Sequence, residues 1–253
     1  MQVLNRGKAA LEAVSAIKQG GRCAVVVLLA ILLTGSTNLL VNKDPHYSTS
    51  VLATTITTDT SKVGKVLPFL DALTEEGLDL RAGPVDVPIE IEIPSMGIRT
   101  SVLGVGINSD NVMDAPMGKA DDPVWQKAFW YRGSAVPGEF STALIAGHVS
   151  APQGRSGIFS QLESLTPGDM ILIHDTRNKS VIKFSVVESI TYTLDEMAQS
   201  AVLTKLYGAG PVVGQWSQPS EDGLAHLNLI TCAGTFVQGT HDHRLVVYAT
   251  RVD

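Results

Sequence analysis

The chain has 253 residues, enough for one good-sized domain with appendages or at most two small ones. Its 25 acidic residues outnumber its 19 lysines and arginines, giving a formal charge of -6. With no basic stripe to follow a phosphate backbone, nucleic-acid binding is excluded as a leading function.

Residues 1–22 carry Arg6, Lys8, Lys18 and Arg22 against one acid, Glu12. An apolar run follows from Cys23 to Leu33, and no charge appears before Lys43. As a helix, residues 23–42 would span about 30 Å, the thickness of a bilayer's hydrocarbon core. The basic flank comes first, so the N-terminus is expected in the cytoplasm and the rest of the chain outside the cell membrane. A cleaved secretory signal with an apolar core ending near Gly35 is the alternative. The long basic leader and the resumed apolar stretch Leu39–Val41 favour a retained single-pass anchor.

Residues 43–85 read as an extracytoplasmic linker or stalk. Its first part is rich in Ser and Thr without hydrophobic periodicity, and Val66, Leu67, Leu70, Leu73 and Leu78 hint at a short amphipathic helix. From residue 86 to 253 the texture is that of short strands. Pro88–Ile93 alternates with period two, and Pro94-Ser-Met-Gly97 makes a turn. Further strands are predicted over Ile98–Val105, Thr142–Ala146, Met170–His174, Val181–Tyr192, Leu227–Thr231 and Leu245–Val252, with helices only over Ile158–Leu165 and Asp195–Tyr207. The regular helices of a doubly wound parallel sheet are missing, which leaves a mainly β sandwich or barrel with short inserted helices.

Three short stretches carry the chemistry. Leu227–Thr231 is an apolar strand that delivers Cys232 to a turn at Gly234. Ala143-Leu-Ile-Ala-Gly147 does the same for His148, and Arg244 stands at the start of the last strand. If the strands of Cys232 and Arg244 pair antiparallel, the two residues come side by side. The other cysteine, Cys23, lies in the apolar run, so Cys232 is expected to be a thiol outside any disulfide in an oxidising compartment, a setting that suggests reactivity. A thiol with an ordinary pKa of about 8.5 is only a few per cent thiolate at neutral pH. An imidazole can take its proton and later return it to a leaving amine. A guanidinium cannot be the base, but it can bind a developing oxyanion or hold a carbonyl through two N–H donors. His241 and His243 beside Cys232 make a weak metal pattern, and neither a metal nor a cofactor is expected. The spacing does not fit the L,D-transpeptidase arrangement, in which His, Gly and Cys lie close together ahead of an Arg.

Over about residues 86–253 the sequence resembles the sortase family. Leu229-Ile-Thr-Cys232 is similar to the family's cysteine signature, Ala146-Gly-His148 to its histidine element and Arg244-Leu-Val-Val-Tyr-Ala249 to its arginine strand. Trp130-Tyr-Arg-Gly-Ser-Ala-Val-Pro-Gly-Glu139 looks most like the class F group, and Pro94-Ser-Met-Gly-Ile98 also resembles a family segment. Asn228, Ala233 and the long approach Gly118–Phe129 depart from the usual pattern. The resemblance implies a closed eight-stranded β-barrel preceded by the transmembrane helix. It implies a cysteine transpeptidase with His148, Cys232 and Arg244 as the catalytic set. Thr231 and Ala233, beside the nucleophile, are candidate substrate-binding residues. Trp130 and Tyr131 are candidate substrate-binding residues as well, with a place in the core as the other reading. The implied partners are secreted proteins bearing a C-terminal sorting signal of the LPxTG kind, cut between Thr and Gly, and an amine acceptor such as a peptidoglycan precursor or a pilin lysine. The competing readings are a non-enzymatic, membrane-anchored surface β-domain, and a related enzyme working mainly as a hydrolase or pilin polymerase.

Overall fold

The computed structural model describes residues 79–81, 83–110, 112–208, 219–237 and 239–253. The basic segment, the expected membrane anchor and nearly all of the stalk lie outside the described residues. Among the described residues, no helix is long and apolar enough to cross a membrane.

Among the described residues, ten strands and two short α-helices follow in order: β1 (Val85–Ile93), β2 (Ile98–Val105), β3 (Ala128–Tyr131), β4 (Thr142–Gly147), β5 (Ser150–Ala151), β6 (Arg155–Ser156), β7 (Met170–Asp175), β8 (Val181–Thr193), α1 (Leu194–Met197), α2 (Ser200–Tyr207), β9 (His226–Val237) and β10 (Thr240–Val252). Eight of the strands close a barrel in the order β1-β2-β3-β4-β9-β10-β8-β7, while β5 and β6 form a small separate ribbon. The pairs β2/β3 and β4/β9 are parallel, and the others are antiparallel. A parallel pair needs a long crossover. Residues 106–127 supply the first, and the chain from His148 to Ala225, which includes β7, β8 and both helices, supplies the second.

Strand alternation sorts the side chains into two layers. Ile89, Ile91, Ile93, Ile145, Trp130, Leu229 and Val247 fill the barrel interior with residues from the other strands. The opposite face of β3, β4, β9 and β10, carrying Phe129, Tyr131, Leu144, Ala146, Ile230, Val246 and Tyr248, is covered from outside. Met113, Val124 and Trp125 of the first crossover and Met197, Leu206 and Tyr207 of the helices make that cover.

Local chemistry explains the ends of the elements. Gly97 takes the left-handed conformation (φ 65°) that closes the turn after Pro94–Met96, and only glycine adopts it without strain. Thr193 and Glu196 form a capping box at α1: the Thr193 hydroxyl accepts from the Glu196 N–H (3.2 Å) and Glu196 accepts from the Thr193 N–H (2.7 Å). The residues just before β1 are tied to the barrel edge. Leu80 O accepts from the Ile107 N–H at 2.7 Å, and Arg132 Nη1 donates to Asp79 O at 3.1 Å.

Two expectations differ from the structure. The helix expected over Ile158–Leu165 is a single tight turn at Leu162–Ser164. Ile158, Phe159, Leu162 and Leu165 all enter the barrel core, which gave the stretch helical spacing. Its backbone, however, is spent on turns and on a bond from the Phe159 N–H to His148 O at 2.9 Å. The helix expected over Asp195–Tyr207 is broken into α1 and α2 at Ala198-Gln199.

Candidate active site

Cys232 lies on β9 directly opposite Arg244 of β10 in the antiparallel register. On its other side β9 runs parallel to β4, with Ile230 opposite Ala146. One residue further, the Thr231 hydroxyl donates to Gly147 O at 2.8 Å. Cys232 and His148 follow these two residues at the same end of their strands. Parity completes the placement. Cys232 shares a face with Ile230, Arg244 with Val246, and His148 continues the face of Leu144 and Ala146, all of them on the covered outer side of the barrel. Three strands that are neighbours in the sheet thus bring a thiol, an imidazole and a guanidinium to one end of one face.

All three are enclosed: Cys232 is 4% exposed, His148 6% and Arg244 0%. His148 is held on several sides. Its ring packs against Trp125 (centroids 4.7 Å apart) and edge-on to Phe129 (5.2 Å). Its Nε2–H donates to Pro116 O at 2.9 Å. A carbonyl can only accept, so the neutral ring carries its proton on Nε2 and leaves Nδ1 as the nitrogen able to take one. Burial pushes the imidazole pKa down, and the Pro116 carbonyl pulls it partly back. The ring is therefore neutral at neutral pH, the state a proton acceptor needs.

That shift has a consequence for stability. In the unfolded chain His148 titrates near its ordinary value of about 6.5. Between that value and the lower native one, the unfolded state binds a proton that the native state resists, so stability is lost as pH falls through this window. Chemical denaturation of the wild type at pH 7 and pH 5 is expected to show this loss, and His148→Gln is expected to show a smaller one. Equal losses in the two proteins would remove the buried imidazole as the cause.

Arg244 is pinned by its own strand. Its Nη1 donates to His241 O at 2.9 Å and to His243 O at 2.7 Å. This fixes one edge of the fork and gives the cation carbonyl partners in a buried place.

The other candidate residues take different places. Thr231 faces the barrel interior, and its hydroxyl is committed to Gly147 O. Ala233, on the same face of β9, is half-buried at the barrel rim against the core. Trp130 occupies the barrel core, and its indole N–H donates to Ala135 O at 2.9 Å. Tyr131 is buried in the outer layer against Tyr207, with ring centroids 5.8 Å apart. Trp130 and Tyr131, expected as substrate-binding residues, both occupy buried core positions. Among the described residues, no group of three or more His, Cys, Asp and Glu is arranged to hold a metal ion.

Sequence reasoning missed Pro116, Trp125 and Phe129 as the surroundings of His148. One signal was available: Asp122-Pro123 is an N-cap followed by a proline in the first turn. The Asp122 side chain indeed accepts from the Val124 N–H at 2.9 Å and starts the turn that carries Trp125.

A closed barrel that presents a thiol, a neutral imidazole and a guanidinium on adjoining strands defines a class of site suited to cysteine-based acyl transfer. The family model described as "Sortase domain" matches residues 91–252, and the chain belongs to the sortase family, whose members are cysteine transpeptidases. Among solved structures, the chain is similar to sortase A from Corynebacterium diphtheriae at 23% identity (TM-score 0.45, covering 75% of this chain and 70% of that one). It is similar to the pilus-related sortase C of Group B Streptococcus at 19% identity (TM-score 0.45, 66% and 68%) and to sortase C-1 from Streptococcus pneumoniae at 19% (TM-score 0.43, 65% and 66%). No curated protein sequence matches the chain.

Proposed function

We propose that the chain is a membrane-anchored transpeptidase of the class F type. In this reading residues 23–42 hold it in the cell membrane, residues 1–22 lie in the cytoplasm, and a stalk over 43–85 presents the 86–253 domain outside. The substrate is a secreted protein carrying an LPxTG-like C-terminal sorting signal, cut between Thr and Gly. The acceptor is an amine such as a peptidoglycan precursor or a pilin lysine, and the product is a protein attached to the cell wall. The observation that carries the reading is the pairing of Cys232 with Arg244 across β9/β10, with His148 at the same end of the next strand.

The steps follow from the three groups. His148 Nδ1 takes the thiol proton, and the Cys232 sulfur attacks the Thr carbonyl carbon. Negative charge moves to the carbonyl oxygen, where the Arg244 guanidinium stabilises it. Collapse of this tetrahedral state breaks the Thr–Gly C–N bond. The imidazolium returns its proton to the departing glycine amine, leaving a thioester on Cys232. An incoming amine, deprotonated by His148, attacks the thioester and releases the thiol.

Mass spectrometry of the detergent-solubilised full chain, mixed with a panel of LPxTG-like peptides, tests this. The expected result is an acyl adduct on Cys232 that an added amine discharges to an amide. If every peptide in the panel left Cys232 unmodified while the thiol still reacted with iodoacetamide, a non-enzymatic surface domain would be the better reading.

A further inference from the structure

The sheet is irregular beside Arg244. His241 pairs with Phe236 and His243 with Ala233, so Gly234 and Thr235 of β9 face the single residue Asp242 of β10. Where a ladder is interrupted in this way, local ties rather than regular pairing set the direction of the carbonyls. The carbonyls on either side of Asp242, those of His241 and His243, are the two that accept from Arg244 Nη1.

Asp242 supplies the ties. Its Oδ1 accepts from the Thr235 N–H at 2.8 Å, which spans the interruption to β9. The same oxygen accepts from His243 Nδ1–H at 2.7 Å, which fixes the residue next to Arg244. Gly234 permits the closure. It sits at φ 75°, and a Cβ there would come within 2.1 Å of Asp242 Oδ1 and 2.5 Å of His243 Nδ1. His241 adds a longer bond from Nδ1–H to Gly234 O at 3.3 Å.

We propose that Asp242 is a positioning residue for Arg244: it clamps the β9/β10 irregularity so that two backbone carbonyls aim the guanidinium at the place opposite Cys232. Asp242 itself touches no substrate. The inference rests on the reading of Arg244 as the group that stabilises the oxyanion. An ordinary hairpin clip would affect melting alone, whereas a positioning residue affects the rate of the chemical step.

The test compares Asp242→Ala, Asp242→Asn, Arg244→Lys and the double variant Asp242→Ala/Arg244→Lys in the full chain. Asparagine keeps a side-chain oxygen that can accept both N–H groups, so Asp242→Asn is expected to recover most of kcat. Alanine loses both ties, and kcat is expected to fall roughly 10- to 100-fold with KM little changed, the effect of a misaimed group rather than of lost binding. In the Arg244→Lys background, Asp242→Ala is expected to cost little more, because the two changes act through one guanidinium. The inference is overturned by a folded Asp242→Ala with wild-type kcat, by equal losses in the Ala and Asn variants, or by losses that multiply in the double variant. A second readout is independent of activity. The ¹⁵N resonances of the Arg244 guanidinium are expected to shift in Asp242→Ala and to stay in place in Asp242→Asn. A fully active Arg244→Lys would overturn the catalytic reading of Arg244, and the resonances alone would then decide the positioning.

Discussion

Cys232→Ala is expected to abolish transpeptidation, with a loss on the order of 10⁶-fold, as when a catalytic nucleophile is removed from a hydrolase. The proposed thioester needs a sulfur at this position of β9, and the hydroxyls nearest in the two strands are directed elsewhere. The adjacent hydroxyl, Thr231, faces the barrel interior and donates to Gly147 O. The nearest hydroxyls on β10 are no better placed, since Thr240 precedes the irregularity at Asp242. The change removes one sulfur from a closely packed position, so its effect on stability should stay near about 1 kcal/mol. The melting transition is therefore expected to be nearly unchanged while the acyl adduct and the amide product both disappear. Near wild-type turnover by a folded Cys232→Ala would sink the proposed mechanism as a whole.

Part of the barrel was legible because β1, β7 and β8 are buried on one face only. Pro88–Ile93 and Val181–Val187 alternate in burial, so the type and phase of these strands could be read directly. β3 was not legible. Ala128-Phe-Trp-Tyr131 is short and buried on both faces, one in the core and one under the outer cover, so it shows no alternation. Ile158–Leu165 misled for a related reason. Its apolar spacing reflects contact with a curved core, and a loop that folds back on His148 produces the same pattern as a helical face.

At the site, the juxtaposition of Cys232 and Arg244 was legible. The two strands are consecutive and antiparallel, so the end of the first meets the start of the second; a count back from the hairpin would put Arg244 opposite Ala233, and the extra residue at Gly234-Thr235 moves it opposite Cys232. The place of His148 was not, because β4 and β9 pair in parallel across almost eighty residues of intervening chain and no local count gives that register. The environment of His148 was further out of reach. Pro116 contributes a backbone carbonyl, which carries no side-chain signature, and Trp125 reaches the imidazole only because the first crossover lies over the outer face. Asp242 was hidden by the same logic: in sequence it is one charged residue in a polar hairpin, and its proposed role depends on a one-residue mismatch between β9 and β10.

Arg244→Lys is expected to lower kcat by roughly 10²-fold or more, while KM stays within about threefold. Alanine is the less informative change here. It would open a cavity at a position that is 0% exposed and leave the carbonyls of His241 and His243 without their donor, so a drop in activity could reflect a damaged fold. Lysine keeps the positive charge and can still donate to a carbonyl, but it lacks the planar fork that, in the proposed mechanism, would let one edge hold the strand while the other meets the substrate. The distribution of the loss between kcat and KM then identifies what the second edge does. An oxyanion exists only near the transition state, so removing its donor slows the chemical step and leaves ground-state binding almost untouched. A guanidinium that grips the peptide carbonyl before reaction would instead give a raised KM with kcat largely kept. Wild-type values of both constants would take Arg244 out of the site and leave Cys232 and His148 to act without it.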